Sequence, residues 1–557
     1  MIKNICIVED KEDFNLIFDK YNSLNCIYVP LDIETFILCK KKNLNIFDFN
    51  KNLSNKFHQT ALIETKRFKD KLRFKEIPYS LKSEITGYLR FRLHSTIFII
   101  EIIENILNDS KIEKIIVSGF MKEIHSLHNA KLSSEIVTQL FPRLVFLLKE
   151  KVLISNNSDL YEYKETSNIK NLNKNILMSN GGYNFRKINT ELRKSSFTTW
   201  LPIFEKISII KKILYFLKGF RLIYFKKNED HLVSKENFIN EINFVYKSKY
   251  DLSFLLNNFY AKLNFYFNDL NQKIKVLKKF ITKNNFTFLI SNIARGLHGS
   301  ILDKDLKNPS LCIPHGVISK SFNEYDDIYK KIIAEAVFSG DSKFFAVQSK
   351  IIQKSLKTHK IQGETVISGN LIFSQNKKNY INKKKYILFA TTLKGFTNLQ
   401  YLGVDMFYEY WKILEELNKL SQNINEKIIV KVHPQFKHCK NILSSCFSSL
   451  YFLDDKINNL LKDSLLLITL SSGTIEDALN SRVPVLLYDL KNRYKQMECA
   501  QIDQNDKAVY YINDKNKIEY VINKIKNSNK INFKDYIYDG TIEKNINEKI
   551  LPIINKY

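Results

Sequence analysis

The stretch Ile468-Thr-Leu-Ser-Ser-Gly-Thr-Ile-Glu-Asp-Ala-Leu-Asn-Ser-Arg-Val-Pro-Val-Leu-Leu-Tyr488 constrains the fold of this chain more than any other. Two short apolar runs bracket a segment whose apolar residues, Ile475, Ala478 and Leu479, recur at helical spacing. Runs that are apolar without alternation suit strands buried on both faces, the condition inside a parallel sheet covered by helices. The pattern therefore predicts a strand, a tight Ser-Ser-Gly turn, a short helix and a second strand. Upstream, a similar run from Lys427 to Val432 ends in His433-Pro434.

The same grammar repeats along the chain and predicts an α/β protein. Strands are expected at Ile5–Val8, Cys26–Val29, Lys114–Val117 and Val152–Ser155, with a long helix over Ser83–Leu107. Further strands follow at Phe286–Ile290, Leu311–Ile313, Phe344–Val347 and Thr365–Ile367, completing the sheet of a first domain over 1–375. Residues 156–283 are lysine-rich and mostly helical in pattern, an insertion in that domain. The polar, basic stretch Asn376–Lys385 reads as a linker. A second domain over 386–530 has strands at Tyr386–Ala390, Ile428–Val432, Tyr451–Leu453, Leu465–Leu470, Val485–Leu487 and Val509–Ile512. The tail, 531–557, is expected to pack back across both domains.

With 557 residues and 44% hydrophobic content the chain can bury large cores. Its net charge of +28 comes from lysines spread over the whole length, and no nucleic-acid-binding motif stands on them. The charge suits anionic substrates or an anionic membrane surface, not nucleic acid. The seven cysteines form no CxxC pair, as expected of reduced thiols in the cytosol, and the N-terminus enters a strand directly, without the pattern of a signal peptide. No apolar run is long enough to span a bilayer. The nearest, Ile203 to Phe225, is interrupted by Lys206, Lys211, Lys212, Lys218 and Arg221. Its apolar positions mark an amphipathic helix, which either faces a core with a lysine-rich outer side or lies on an anionic membrane.

The chemistry concentrates at strand ends, because open parallel sheets bind ligands beyond their carboxyl edges. Ser471, Ser472, Gly473 and Thr474 open a helix there. Free backbone N–H groups, three hydroxyls and an unhindered glycine suit a phosphate. Glu476 and Asp477 fit the helix dipole or a ribose hydroxyl. His433, with Pro434 ending its strand, reaches the same edge and can donate to a phosphate oxygen. A plain Ser N-cap would account for the turn alone.

The combination, His-Pro followed by Ser-Ser ahead of an Ala-Leu…Pro-Val segment, resembles bacterial glycosyltransferases of the GT-B fold, over about residues 386–490. The pattern is similar to the CMP-sugar users of capsule and lipopolysaccharide synthesis (sialyl- and Kdo-transferases) and to CDP-glycerol-type transferases. The resemblance implies two Rossmann-like domains facing a cleft. It gives His433, Ser471 and Ser472 the donor phosphate, with Thr474 helping. Thr392 and Lys394, after the first strand of the second domain, would line the same pocket.

In the first domain Leu311-Cys-Ile-Pro-His-Gly316 ends in a His-Gly turn, followed by Ser319. Similar turns face the cleft in CDP-glycerol-type enzymes, which makes His315 the candidate general base. The sialyltransferase-like families use a carboxylate instead, so Asp326 and Glu335 share the candidacy. Arg295 and His298, in Arg-Gly-Leu-His, are expected on the acceptor, His298 also as reserve base. Asp303-Lys-Asp305 has the spacing of a metal-binding DxD but lacks a preceding apolar strand and reads as a solvated loop; no metal or cofactor is expected.

The resemblance thus implies a metal-independent, inverting transfer of a sugar from a nucleotide-activated, CMP-linked donor to a surface glycan or glycolipid, on the cytoplasmic face of the inner membrane. The alternatives are a CDP-glycerol-type phosphotransferase, a sugar-nucleotide 2-epimerase, or a binding protein that keeps the GT-B shell without catalysis.

Overall fold

The computed structural model describes residues 4–22, 25–49, 55–71, 77–109, 111–118, 132–148, 160–166, 174–181, 185–234, 244–314, 318–359, 361, 363–373, 385–390, 404–528, 530–537 and 540–557. It is mixed α/β; among the described residues are three larger sheets, in which nearly all pairing is parallel, and one two-stranded antiparallel sheet. The first sheet contains β1 (Asn4–Val8), β2 (Cys26–Pro30), β3 (Lys114–Val117) and β4 (Val145–Leu147), in the order β2-β1-β3-β4. Among the described residues three helices separate β2 from β3: Ile33–Lys41, α1 (Lys56–Lys71) and α2 (Tyr79–Asp109).

The second sheet has eight strands. Its first half is β5 (Tyr161–Glu165), β6 (Asn175–Met178), β7 (Thr198–Ile203) and β8 (Arg221–Leu232), with α3 (Ile209–Leu217) crossing from β7 to β8. A small hairpin, β9 (Val245–Tyr246) and β10 (Tyr250–Asp251), precedes the long α4 (Ser253–Lys283). Then come β11 (Phe288–Ser291), β12 (Ser310–Cys312), α5 (Glu324–Ala334), β13 (Phe344–Val347) and β14 (Glu364–Ile367). The order is β14-β13-β12-β11-β6-β7-β8-β5, and only β5 runs antiparallel to its neighbour.

The third sheet is β17-β16-β15-β18-β19-β20. It is built from β15 (Tyr386–Ala390), α6 (Met406–Leu420), β16 (Lys427–Lys431), β17 (Tyr451–Leu453), β18 (Ser464–Thr469), α7 (Thr474–Asn480), β19 (Val485–Tyr488) and β20 (Val509–Ile512). β6, β11, β12, β13, β18 and β19 are buried at every position, which is why their sequences are apolar without alternation. The second and third sheets are the two Rossmann-like units that the GT-B resemblance implies.

Two expectations about organisation do not hold. Residues 1–148 do not share a sheet with 288–367; they form their own, and its core merges with that of the third sheet. Phe36 and Phe49 of this unit pack on Phe407, Tyr408 and Trp411 of α6. Residues 156–283 are not a helical insertion: they supply four strands of the second sheet. The physical reason is local. β5 is polar along its length, and the outer half of β8 is exposed and charged, so neither shows the apolar run of a core strand. The candidate strand at Val152–Ser155 lies outside the described residues, as does all but Lys385 of the linker.

The last residues return to the second sheet. Ile542, Ile546, Ile550 and Ile554, four apart on one helical face, pack with Phe288, Ile290 and Phe344.

Candidate functional site

Each Rossmann-like sheet has one point where its strand order reverses, and a crevice opens beyond the carboxyl ends of the strands at such a point. In the third sheet the chain runs from β15 outward to β16 and β17, then returns to the other side of β15 as β18. The reversal lies between β15 and β18, and Ser471-Ser-Gly-Thr474 follows β18 there. These four residues are all solvent-accessible, whereas Ile475 to Asn480 behind them are buried. A Cβ built on Gly473 meets no atom within 4 Å, so the space over this backbone is open. Ser472 Oγ accepts from the Thr474 amide at 3.2 Å, which holds the turn.

His433 stands at the end of β16 and is partly exposed. Its Nδ1 accepts from the Gln435 amide at 3.3 Å, with Pro434 at the first position of the following turn. β16 and β18 flank β15 on opposite sides, so their ends are two strand spacings, roughly 10 Å, apart. His433 and the serines therefore bracket the end of β15. A nucleotide lying across that end would meet both groups. Thr392 and Lys394, which follow β15, lie outside the described residues.

The second sheet reverses between β6 and β11. Met178 pairs with Ile290 in register, and both are followed by Ser-Asn: Ser179-Asn180 and Ser291-Asn292. The doublets bond to each other, Ser291 Oγ to Ser179 Oγ at 2.9 Å and Asn180 Nδ2 to Asn292 Oδ1 at 2.6 Å. His298 completes the cluster. Its Nδ1 lies 2.8 Å from the Ser179 carbonyl, which can only accept, so Nδ1 carries the proton and Nε2 keeps its lone pair. Gly299 is required beside it: a Cβ there would sit 2.1 Å from the Ala294 carbonyl. Ser179, Asn180 and Asn292 were not singled out from the sequence. The repeated apolar-run-then-Ser-Asn signature was the signal available.

The carboxyl ends of β12 to β14 face the flank of α7. Asn480 of α7 donates to Gln348, just past β13, at 2.6 Å. Beside this contact a small open pocket is lined by Pro314, Gln348, Ser368 and Gly369 at the ends of β12 to β14 and by Glu476 of α7. Glu476 is buried at the foot of the Ser-Ser turn.

Several residues expected on the acceptor or as base are committed elsewhere. Arg295 Nε lies 3.5 Å from Glu84 of α2, away from the cavity lining. Ser319 is buried; it donates to the Lys495 carbonyl and accepts from Lys330 at 2.7 Å. Glu335 is paired with Lys69 of α1. Asp326 is buried and holds Lys330 at 2.7 Å, and burial raises its carboxyl above the usual range. Ser319 and Asp326, being buried, need such partners, and the sequence contained no sign of which ones they or the part-buried Arg295 and Glu335 would take. His315 follows Pro314 but lies outside the described residues. Asp303, of the DxD triplet, is buried against Lys278 at 2.9 Å, so it is not the solvated loop residue expected.

A separate polar network closes the edge of the third sheet at β19. Arg493 makes a double contact with Asp405 at 2.8 and 2.9 Å, and Asp489 accepts from the amides of Arg493 and Tyr494, both at 2.6 Å. His94 accepts from the Val404 amide, His94 and His58 are 3.1 Å apart, and Tyr494 follows at 3.3 Å. Burial holds both imidazoles neutral, His94 pushed down to about 3. The nearby Glu409 is pushed up to about 8, by burial first and the Asp489 charge second. Elsewhere among the described residues, Glu34, His438 and Cys439 come within ligand distance of one another, but burial pushes the Cys439 thiol up to about 12. That group is a His438–Glu34 contact at 3.3 Å beside a protonated thiol.

No family model matches the chain, and no curated protein does. Solved structures do show likeness. A UDP-GlcNAc 2-epimerase of Methanocaldococcus jannaschii, in complex with UDP-GlcNAc and UDP, is 16% identical, with a TM-score of 0.43 over 69% of this chain and 99% of that one. The S. aureus MnaA–UDP structure is 12% identical, with a TM-score of 0.42 over 69% and 98%. An S. aureus TarM variant in complex with Fondaparinux, alpha-GlcNAc-glycerol and UDP is 10% identical, with a TM-score of 0.38 over 69% and 98%.

Proposed function

We propose that this protein is a glycosyltransferase whose crevice holds a nucleotide-activated sugar on the third sheet and the acceptor hydroxyl on the second. One observation carries the reading. Both sheets reverse their strand order, both reversal points bear short polar side chains, and the carboxyl ends of β12 to β14 face α7, with Glu476 in the pocket between them and Gln348 bonded to Asn480. The turn Ser471–Thr474 takes the donor phosphates through backbone N–H groups and hydroxyls. His433, across the end of β15, takes a second phosphate oxygen. We assign the acceptor hydroxyl to Asn180, Asn292 and His298.

His298 Nε2 removes the hydroxyl proton as that oxygen attacks the anomeric carbon. The nucleotide phosphate leaves from the opposite face with the bonding electrons, giving inversion. The donors of the Ser-Ser turn and His433 stabilise the charge that builds on it. The sequence resemblance makes a CMP-linked donor and a surface glycan acceptor the first to test.

The test is a thermal-shift panel with CMP, CDP, UDP and GDP. At a hundredfold excess over its Kd, a ligand specific for the native state stabilises by about 2.7 kcal/mol. One nucleotide should raise the Tm, and the Ser471→Ala/Ser472→Ala variant should lose that rise, its unliganded Tm falling only by what the lost Ser472 cap on the Thr474 amide costs. An equal rise in the variant, or none with any nucleotide in the wild type, would refute the donor site. His298→Ala should lower kcat while sparing nucleotide binding. Full turnover in that variant would return the role of base to His315.

A further inference from the structure

α3 is a crossover helix between two parallel strands, a position in which the apolar side normally packs on the sheet. Here the side is reversed. Ile209, Ile210, Ile213, Leu214, Phe216 and Leu217 are each between 48% and 78% exposed, and the helix buries no residue. At helical spacing these six occupy one continuous arc of about 160°. Opposite them only Tyr215 turns inward, towards Gly181 and Phe220. Lys211 and Lys212 lie at the two margins between these faces. Lys212 stacks over the Tyr224 ring at 5.3 Å, and Lys218 over Tyr215 at 5.9 Å.

The helix is secured at both ends. Ser208 Oγ accepts from the Lys211 amide at 3.3 Å. Gly219, with φ of 80°, closes it: the Gly219 and Phe220 amides donate to the Phe216 and Tyr215 carbonyls at 2.7 and 3.0 Å. The apolar face is thus presented by a capped helix on a packed strand pair.

We propose that α3 is a docking helix for an anionic lipid bilayer, lying in the plane of the interface. The occupant follows from the charge around the face. Between 203 and 225 the chain carries Lys206, Lys211, Lys212, Lys218 and Arg221 against the single acid Glu205. A broad apolar arc with lysines on its margins fits acyl chains below and phosphate headgroups beside them. Among the described residues no helix is long and apolar enough to cross a membrane, so attachment through α3 is peripheral. The inference is independent of the donor site.

The experiment is co-sedimentation of the full chain with vesicles of phosphatidylcholine, alone and mixed with phosphatidylglycerol. The wild type should pellet with the mixed vesicles and not with the neutral ones. Ile213→Glu/Phe216→Glu should lower the partition coefficient about tenfold or more, and Lys211→Glu/Lys212→Glu should lower it too. These side chains are exposed, so both variants should keep the wild-type Tm and nucleotide response. Absence of vesicle binding, or binding untouched by the paired glutamates, would overturn the proposal. So would a wild-type dimer that the glutamates split without any vesicle binding, since a second copy would then be what covers the face.

Discussion

α3 and α7 do the same topological job with opposite results. Each crosses between parallel strands in a Rossmann-like unit, α3 from β7 to β8 and α7 from β18 to β19. The sequence of α7, Thr-Ile-Glu-Asp-Ala-Leu-Asn, is the more polar, yet six of its seven residues are buried. That of α3, Ile-Ile-Lys-Lys-Ile-Leu-Tyr-Phe-Leu, is the more apolar, yet none is. Apolar content therefore does not say which way a helix faces. The orientation of α7 is set by Ile475, Ala478 and Leu479 filling the space over β18 and β19, with Asn480 bonded across the crevice. The orientation of α3 is set by its one inward ring and its caps.

Truncating the two helices gives the sharpest contrast. Leu479→Ala should destabilise the protein by about 2–5 kcal/mol, the range for a fully buried leucine that leaves a cavity. Ile213→Ala, on the outward face, should stay within about 0.5 kcal/mol. Urea unfolding monitored by circular dichroism compares them directly. Equal losses would mean that the apolar face of α3 is covered within the protein itself.

The same opposition of sealed and open surfaces governs charge. The lysines of α3 lie in water, whereas Glu409 is buried near Asp489. Its folded pKa of about 8 is raised above the ordinary value near 4.5. Its contribution is therefore fully present below pH 4.5 and is lost as pH rises to 8, because only the unfolded chain ionises freely in that window. Glu409→Gln, which mimics the protonated side chain, should remove this loss and gain stability on the order of a few kcal/mol at pH 8. His94 has the opposite sign. Its depressed pKa preserves stability above 6.5, which is lost as pH falls towards 3. Denaturant midpoints across this range should show a flatter alkaline limb in Glu409→Gln and an unchanged acidic limb. A parallel shift of both limbs would remove Glu409 as the cause.

What the sequence disclosed follows the same division. Lys114–Val117, Phe344–Val347, Tyr386–Ala390, Tyr451–Leu453 and Val509–Ile512 stand where their patterns placed them; for Phe344–Val347, buried at every position, the reason is that a strand sealed on both faces must be apolar throughout. The Ser-Ser turn was legible because a strand end, a glycine and a helix start leave a local signature. β8 escaped because its outer half faces solvent and carries charge, so nothing forces an apolar run there. The partners that occupy Arg295, Glu335 and Asp326 escaped for another reason. Glu84 and Lys69 come from distant parts of the chain, and Lys330 lies one helical turn from Asp326, a spacing equally common on solvated faces.

Gly473 tests the boundary between the two regimes, at the point where α7 passes from open to buried. Its backbone is helical, with φ of −60°, so an alanine fits without strain, and the added methyl would meet open space. Gly473→Ala should therefore leave the Tm within a degree or two, or raise it slightly, since it reduces the freedom of the unfolded chain by about 0.4–1 kcal/mol. A phosphate seated on the Ser471–Thr474 amides would instead meet that methyl at contact distance. Isothermal titration with the nucleotide that gives the largest thermal shift should show affinity falling about tenfold, roughly 1.4 kcal/mol. Lowered stability with unchanged affinity would place this turn among the packed elements of the third sheet, and the crevice would lose its donor side.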